Sequence, residues 1–341
     1  MPVWVAIVAG CGGASTAPAV APPTPPVDRG YTAFVSGRST DAQTVPLGGA
    51  LLAGGGTDSD AGMQWLLAQG GARSPGAFGD VVVLRTSGSD GYHSYFLDMG
   101  ANSVSSFVIA NTAGANSDVV RTAIARAEVI FLAGGDQSTY VERWAGTALQ
   151  AAVNARVAEG YPIGGTSAGL AVMGAFVYAA LDVSATSAQV LANPYDPSIT
   201  LAGALFNQPL LPNVLTDSHY VVRNRMGRLV TFLARLQQDA RAVAPRGLGI
   251  DERSAVGLSR AGTATVFGAG SGAYLLSVPS TATRVCVRTV PATPLSLFPV
   301  TVVRVPVGSQ FDVATWSSTT SASYVLRVDN GVLSSSSGSV Y

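Results

Sequence analysis

The sequence predicts an α/β protein, a three-layer α/β/α sandwich on a mostly parallel sheet with a β-rich C-terminal portion. Three observations carry this expectation. Short apolar runs alternate with segments of helical periodicity through the first half of the chain. Those runs are apolar on both faces, as strands are when helices cover both sides of a parallel sheet. After Gly249 the helical segments stop and short strands follow one another closely.

Taken in order, Gly49 to Ala53 is the first strand, ended by Gly54-Gly55-Gly56, and Asp60 to Gln69 follows as a helix. Val81 to Arg85, Val104 to Ala110 and Val129 to Ala133 are the next strands, with helices expected over Val119 to Ala127 and Thr139 to Glu159. Tyr161 to Gly164 is a brief strand running into Thr166-Ser167, and an apolar helix is expected over Leu170 to Ala180. A long structured loop is expected from Leu181 to Thr216. Met226, Leu229, Val230, Leu233 and Leu236 then recur at helical spacing in a helix from about Asn224 to Gln238. Further strands are expected near Ala255, Thr265, Tyr274, Val285 and Val302. The Ser/Thr-rich stretch 317–341 reads as a tail with one strand, Tyr324 to Val328, and a disordered end.

Composition removes several chemistries. The chain has 341 residues, ample for a full core, and its 20 acidic side chains balance 20 basic ones. No net field therefore favours nucleic acid or an anionic membrane. All 20 basic residues are arginine. Without lysine there is no Walker-type phosphate grip, no side-chain Schiff base and no Ser-Lys dyad. Two histidines, His93 and His219, exclude a multi-histidine metal site, and two cysteines, Cys11 and Cys286, exclude thiolate zinc clusters and a disulfide framework. A general base would be one of the two histidines or a carboxylate.

Residues 1–11 read as an export signal: a short apolar run ends in Val8-Ala9-Gly10-Cys11, which matches a bacterial lipobox with Cys11 as the lipidated residue. An ordinary cleaved signal is the other reading. The Pro/Ala-rich stretch 12–32 is expected to be a disordered tether, and 33–316 the folded domain. The expected location is the cell envelope, through the lipid anchor, or outside the cell. Acylated Cys11 would leave Cys286 without a partner.

Four motifs could carry chemistry. Gly165-Thr166-Ser167-Ala168-Gly169 follows a strand and precedes a helical segment, the context of a nucleophile elbow. Small flanking residues permit a tight turn that lifts the serine hydroxyl above the sheet. The Ala168 N–H and the helix N-terminus lie where an oxyanion would form. Gly134-Gly135-Asp136-Gln137 follows another strand, so a backbone N–H of Gly135 or Asp136 could be a second oxyanion donor; a plain βα turn is the alternative. Asp217-Ser218-His219-Tyr220, with Arg223, Arg225 and Arg228 downstream, joins a general base to an arginine cluster that could clamp a carboxylate or phosphate. Gly249-Ile250-Asp251-Glu252-Arg253-Ser254-Ala255 offers two adjacent carboxylates, either of which could orient an imidazole. His93 reads as structural. Gly54-Gly55-Gly56 lacks the third glycine of a dinucleotide fingerprint, which disfavours a nicotinamide cofactor. The order serine, histidine, acid disfavours an α/β-hydrolase, whose acid precedes its histidine.

Together, GGDQ, GTSAG, DSHY with its arginines and DERSA, in that order, resemble the cyanophycinase family of serine peptidases, family S51, which also contains α-aspartyl dipeptidases. The segment VPVGSQFDVA, residues 305–314, resembles the family's final strands. The resemblance implies a class I glutamine-amidotransferase-like sandwich with serine in place of the amidotransferase cysteine. It implies Ser167 as nucleophile, His219 as base and Glu252 as the acid behind it. Gln137, Asp217, Arg223, Arg225 and Arg228 would line the substrate site. The implied reaction needs no metal or organic cofactor. Its substrate would be a peptide, either cyanophycin cut to β-Asp-Arg dipeptides or small aspartyl dipeptides. Family members are often homodimers. Ser218 and Tyr220 stand where cyanophycinases often have Gln and Phe, which leaves the exact substrate open.

Overall fold

The computed structural model of the chain describes residues 1–2 and 29–341. The lipobox with Cys11 and most of the expected tether lie outside the described residues. The end of that stretch does not: a strand begins at Tyr31, inside the expected tether.

The first half contributes β1 (Tyr31–Gly37), β2 (Ala50–Ala53), α1 (Asp60–Gln69), the small hairpin β3 (Ala72–Ser74) and β4 (Ala77–Phe78), and β5 (Asp80–Arg85). Next come α2 (His93–Asp98), β6 (Ser103–Ile109), α3 (Thr112–Ala115), α4 (Asp118–Arg126), β7 (Val129–Leu132), α5 (Gln137–Trp144), α6 (Ala148–Glu159) and β8 (Ile163–Thr166). The second half contributes α7 (Ala168–Ala171), β9 (Phe176–Tyr178), α8 (Ser187–Ala192), β10 (Leu201–Gly203), β11 (Val214–Asp217) and α9 (Met226–Gln238). It closes with β12 (Arg246–Ile250), β13 (Ser254–Leu258), β14 (Thr263–Gly268), β15 (Ala273–Ser277), β16 (Thr283–Val285), β17 (Ser296–Val305), β18 (Gln310–Asp312), β19 (Ala322–Asp329) and β20 (Val332–Ser335).

One sheet runs β1-β6-β5-β7-β8-β2-β13-β14-β18. Its centre, β6-β5-β7-β8-β2, is parallel. Successive side chains on a strand point to opposite faces, and here both faces are apolar. Leu51, Val81, Val83, Val129 and Phe131 meet Met63, Leu66, Leu67 and Phe96 of α1 and α2. Leu52, Val82, Leu84, Ile130 and Leu132 meet Val120, Ile124, Trp144, Leu149 and Val153 of α4 to α6. This is the three-layer α/β sandwich. A second sheet, β10-β9-β11-β12-β15-β17-β19-β20 with β16 on β17, forms the β-rich C-terminal portion. Val177, Val214, Leu248, Ile250 and Leu275 on one of its faces join the same core as Leu52 and Ile163 of the first sheet. Its other face is covered by α8 and α9.

The structure departs from the sequence reading in five places. β1 has mostly exposed side chains, because it is an edge strand paired only with β6, so no apolar run marks it. The expected helix Thr139 to Glu159 breaks between α5 and α6, where Gly146 takes a φ of 73° and Thr147 caps the next helix by accepting the Gln150 N–H. The helix expected over Leu170 to Ala180 is a single turn, α7, followed by the strand β9, whose Phe-Val-Tyr sequence suits a pleated surface. The expected loop from Leu181 to Thr216 contains α8 and β10. The 317–341 stretch is also not the expected tail with a disordered end. β19 pairs with β17 and β20 with β19, burying Leu326 and Val328. Serine misleads there because its hydroxyls bond locally, as Ser335 does to Ser337, while alternate residues still supply a buried face. Among the described residues, no helix is long and apolar enough to cross a membrane.

Candidate active site

The carboxyl ends of β7, β8, β2 and β11 meet the turn between β12 and β13 at the seam of the two sheets. β8 ends directly in Ser167, which is held at φ 53° and ψ −112°. A non-glycine residue in that region stores about 1–3 kcal/mol of strain. The flanking glycines make the turn possible. A Cβ on Gly165 would lie 2.6 Å from the Gly169 carbonyl carbon, and one on Gly169 would lie 2.1 Å from the Leu132 carbonyl oxygen. The Ser167 N–H donates to the Ala53 carbonyl at 3.0 Å, which fixes the elbow to β2.

His219 follows β11 and also takes a positive φ, 48°. Its N–H donates to the Gly54 carbonyl at 2.8 Å, and its own carbonyl accepts from the Arg223 N–H at 3.0 Å. Asp251 fastens the same turn by accepting from the N–H groups of Val221 and Val222 at 2.9 and 3.1 Å. Held this way, the imidazole bridges two side chains. Its Nε2 lies 2.7 Å from Ser167 Oγ, and its Nδ1 lies 2.6 Å from Glu252 Oε1. A carboxylate can only accept, so Nδ1 carries the proton and Nε2 is free to accept from the serine hydroxyl. Burial pulls the imidazole below its ordinary pKa; the charges of Arg223 and Arg225 act in the same direction, and Glu252 opposes them. A neutral imidazole beside a strained, outward-facing hydroxyl is the state a general base requires.

Of the two adjacent acids, Glu252 reaches the ring and Asp251 holds the turn. The second glycine motif lies against Ser167, since a Cβ on Gly134 would come 3.6 Å from Ser167 Cβ. The N–H groups of Gly135, Asp136 and Ala168 have no acceptor among the described residues. The Asp136 carboxylate caps α5, taking hydrogen bonds from the Ser138 N–H and hydroxyl at 2.9 and 2.8 Å. Gln137 is the first, half-buried residue of α5. One-turn α7 supplies the Ala168 N–H but little of the helix potential expected there.

The arginine cluster needs correction. Arg228 is 1% exposed, and its guanidinium donates to both carboxylate oxygens of Asp217 and to Ser184 and Ala185. It is turned into the interior, and Asp217 is buried with it, so neither can clamp a ligand. Arg225 is also buried, bonded at 2.8 Å to the Ser218 carbonyl, and burial draws its pKa down to about 10. Arg223 is exposed and is the member of the three that faces solvent. The spacing misled because α9 buries most of the face on which Arg225 and Arg228 lie.

Sequence reasoning missed two contributors. The glycine turn after β2 packs on the site: a Cβ on Gly55 would lie 2.4 Å from His219 Cε1, and the Gly55 carbonyl accepts from the Arg253 N–H at 2.9 Å. Its position after a central strand was the available signal. Asp58 accepts from the Thr166 hydroxyl at 2.9 Å and from the Tyr92 phenol at 2.6 Å, steadying the residue before Ser167; burial pushes its pKa up. No local pattern marks it.

Fold and site together define a class: an α/β protein with a hydroxyl, an imidazole and a carboxylate in hydrogen-bonded series at the carboxyl ends of its strands. The family model of peptidase family S51 matches residues 89–260, and the chain belongs to that family. It is 32% identical over 181 residues to a cyanophycinase of Synechococcus elongatus, a match covering 53% of this chain and 51% of the relative. A cyanophycinase of Trichormus variabilis is likewise 32% identical, over 53% of this chain and 55% of its own length. The chain thus spans about half the length of the curated relatives it matches. A solved peptidase from an acI-B1 Actinobacterium aligns with 78% of this chain and 97% of its own at 12% identity and a TM-score of 0.48.

Proposed function

We propose that the protein is a serine-type peptidase that hydrolyses aspartyl or β-aspartyl peptide bonds, releasing β-Asp-Arg dipeptides from cyanophycin. The observation that carries this reading is the unbroken series Ser167 Oγ, His219 Nε2, His219 Nδ1 and Glu252 Oε1, with links of 2.7 and 2.6 Å. The cyanophycinases among its relatives point to the substrate.

In this reading His219 takes the Ser167 proton as the hydroxyl oxygen attacks the amide carbonyl. The oxyanion is received by the N–H of Ala168 and by one from Gly135 or Asp136. Glu252 stabilises the imidazolium, which then protonates the leaving amine. Water, deprotonated by His219, attacks the acyl carbonyl, the ester bond to Ser167 Oγ breaks, and His219 returns the proton to that oxygen. Arg223, exposed and near enough for its charge to act on His219, would pair with a substrate carboxylate. Because Arg225 and Arg228 face inward and leave Arg223 as the exposed arginine of the cluster, a small aspartyl or isoaspartyl dipeptide is the second reading. No metal or organic cofactor enters either scheme. Export as a lipoprotein through Cys11 remains part of the proposal.

The test is fluorophosphonate labelling combined with product analysis. Wild-type protein should be labelled at Ser167 and should release β-Asp-Arg from purified cyanophycin. Ser167→Ala should lose the label and about three to six decades of turnover with its fold intact. Near-normal hydrolysis by that variant would refute the assignment, and cleavage of aspartyl dipeptides but not the polymer would select the second reading.

A further inference from the structure

The turn that carries His219 is braced from behind by a residue far outside the family-matched region. After β20 the chain folds back along β19: the Ser336 N–H donates to the Val325 carbonyl at 2.9 Å, and the Tyr324 hydroxyl donates to the Val340 carbonyl at 2.8 Å. This return path delivers the Tyr341 ring edge-on to Tyr220 and Tyr274, with centroids 5.9 and 5.8 Å away. Tyr220 is the residue after His219 and is fully buried. The Tyr341 hydroxyl accepts the N–H of Met226, the first residue of α9, at 2.8 Å, and lies 3.2 Å from Asn224 Oδ1.

We infer that Tyr341 is a positioning residue for His219: its ring packs on Tyr220 and its hydroxyl holds the start of α9, bracing the 219–226 turn. The physical case rests on strain. His219 and Asn224 both hold positive φ, 48° and 50°, so the turn persists only while its surroundings over-determine it. On one side the Gly54 carbonyl and the Asp251 carboxylate fasten it. On the other side Tyr341 ties it to the start of α9, whose first N–H groups would otherwise lack acceptors. Releasing that side lets the imidazole drift from Ser167 Oγ and lets water reach it. The 317–341 stretch would thereby support the chemistry of a site to which it contributes no reacting atom.

This inference rests on the serine-peptidase reading, and one experiment separates the two. The rate of fluorophosphonate labelling of Ser167 is measured against pH for wild type, Tyr341→Phe and Tyr341→Ala, alongside thermal unfolding. Tyr341→Phe keeps the rings and loses only the hydroxyl, so labelling should slow about threefold. Tyr341→Ala should slow it by about 10²-fold, the scale of a misplacement of roughly 1 Å. Its acid limb should also move to higher pH, because a better-solvated imidazole returns toward its ordinary pKa. Wild-type labelling rate and pH profile in Tyr341→Ala, with only a lower melting temperature, would overturn the inference and leave the peptidase reading standing. If that variant does not fold, a Tyr341→Phe rate equal to wild type overturns it. A wild-type protein inert to the reagent would sink the peptidase reading and this one with it.

Discussion

His93 and His219 are both buried, both bonded through each ring nitrogen, and both drawn below the ordinary imidazole pKa chiefly by that burial. The His93 ring sits between the hydroxyls of Ser36 and Ser106, at 2.7 and 2.9 Å. The His219 ring sits between the Ser167 hydroxyl and the Glu252 carboxylate at nearly the same distances. A serine within hydrogen-bond reach of an imidazole is therefore common to both places. Two things differ. His219 has an anion behind it that can offset a positive ring, whereas His93 has only neutral partners. Ser167 stands on a strained elbow at the end of a strand, whereas Ser106 is fully buried within β6. The contrast teaches that reach alone does not equip a pair for proton transfer; the counter-charge and a hydroxyl that is not fully buried are what set Ser167 and His219 apart.

The strongest way to break that contrast is to remove the counter-charge. Glu252→Gln keeps the shape but leaves His219, like His93, hydrogen-bonded only to uncharged groups. Its turnover should fall on the order of 10³–10⁴-fold in steady-state assays at pH 7.5. A loss under tenfold would mean the carboxylate is not what separates the two rings. Arg223→Ala sharpens the comparison with a smaller effect. Its charge disfavours the imidazolium, so its removal lets the His219 pKa rise. The acid limb of kcat/KM should then move to higher pH, and activity at pH 6 should fall relative to pH 8; a shift toward lower pH would contradict the assignment. The smallest change in activity belongs to His93→Gln. It should leave turnover within about twofold while lowering stability by about 1–3 kcal/mol through lost buried hydrogen bonds, read from denaturant unfolding. A turnover loss rivalling that of Glu252→Gln would erase the distinction.

Much of this was legible before any coordinates. The parallel sheet was legible because helices on both faces demand strands apolar throughout, as Val129 to Leu132 are. The elbow was legible because only small residues tolerate the backbone contacts at Gly165 and Gly169. Other features were not. Asp251 and Glu252 are chemically alike and adjacent, and only the course of the chain after Ile250 decides which one meets the ring. Arg228 misled because an arginine that clamps a ligand and one that neutralises a buried aspartate have the same local sequence. The Gly54–Gly56 turn acts through backbone carbonyls, which leave no side-chain signature. Tyr341 meets His219's turn across more than a hundred positions, a separation that no periodicity reports.

Ser167 hangs from the first sheet and His219 from the second, and the two are joined at the Gly54 carbonyl and the Asp251–Arg253 turn. Reactivity is thus a property of the joint and of neither half alone. On the proposed function, anything that prised the halves apart by an ångström, whether a mild denaturant, an inserted loop or a wedge-shaped inhibitor, would abolish activity while the side chains of Ser167, His219 and Glu252 stayed chemically intact.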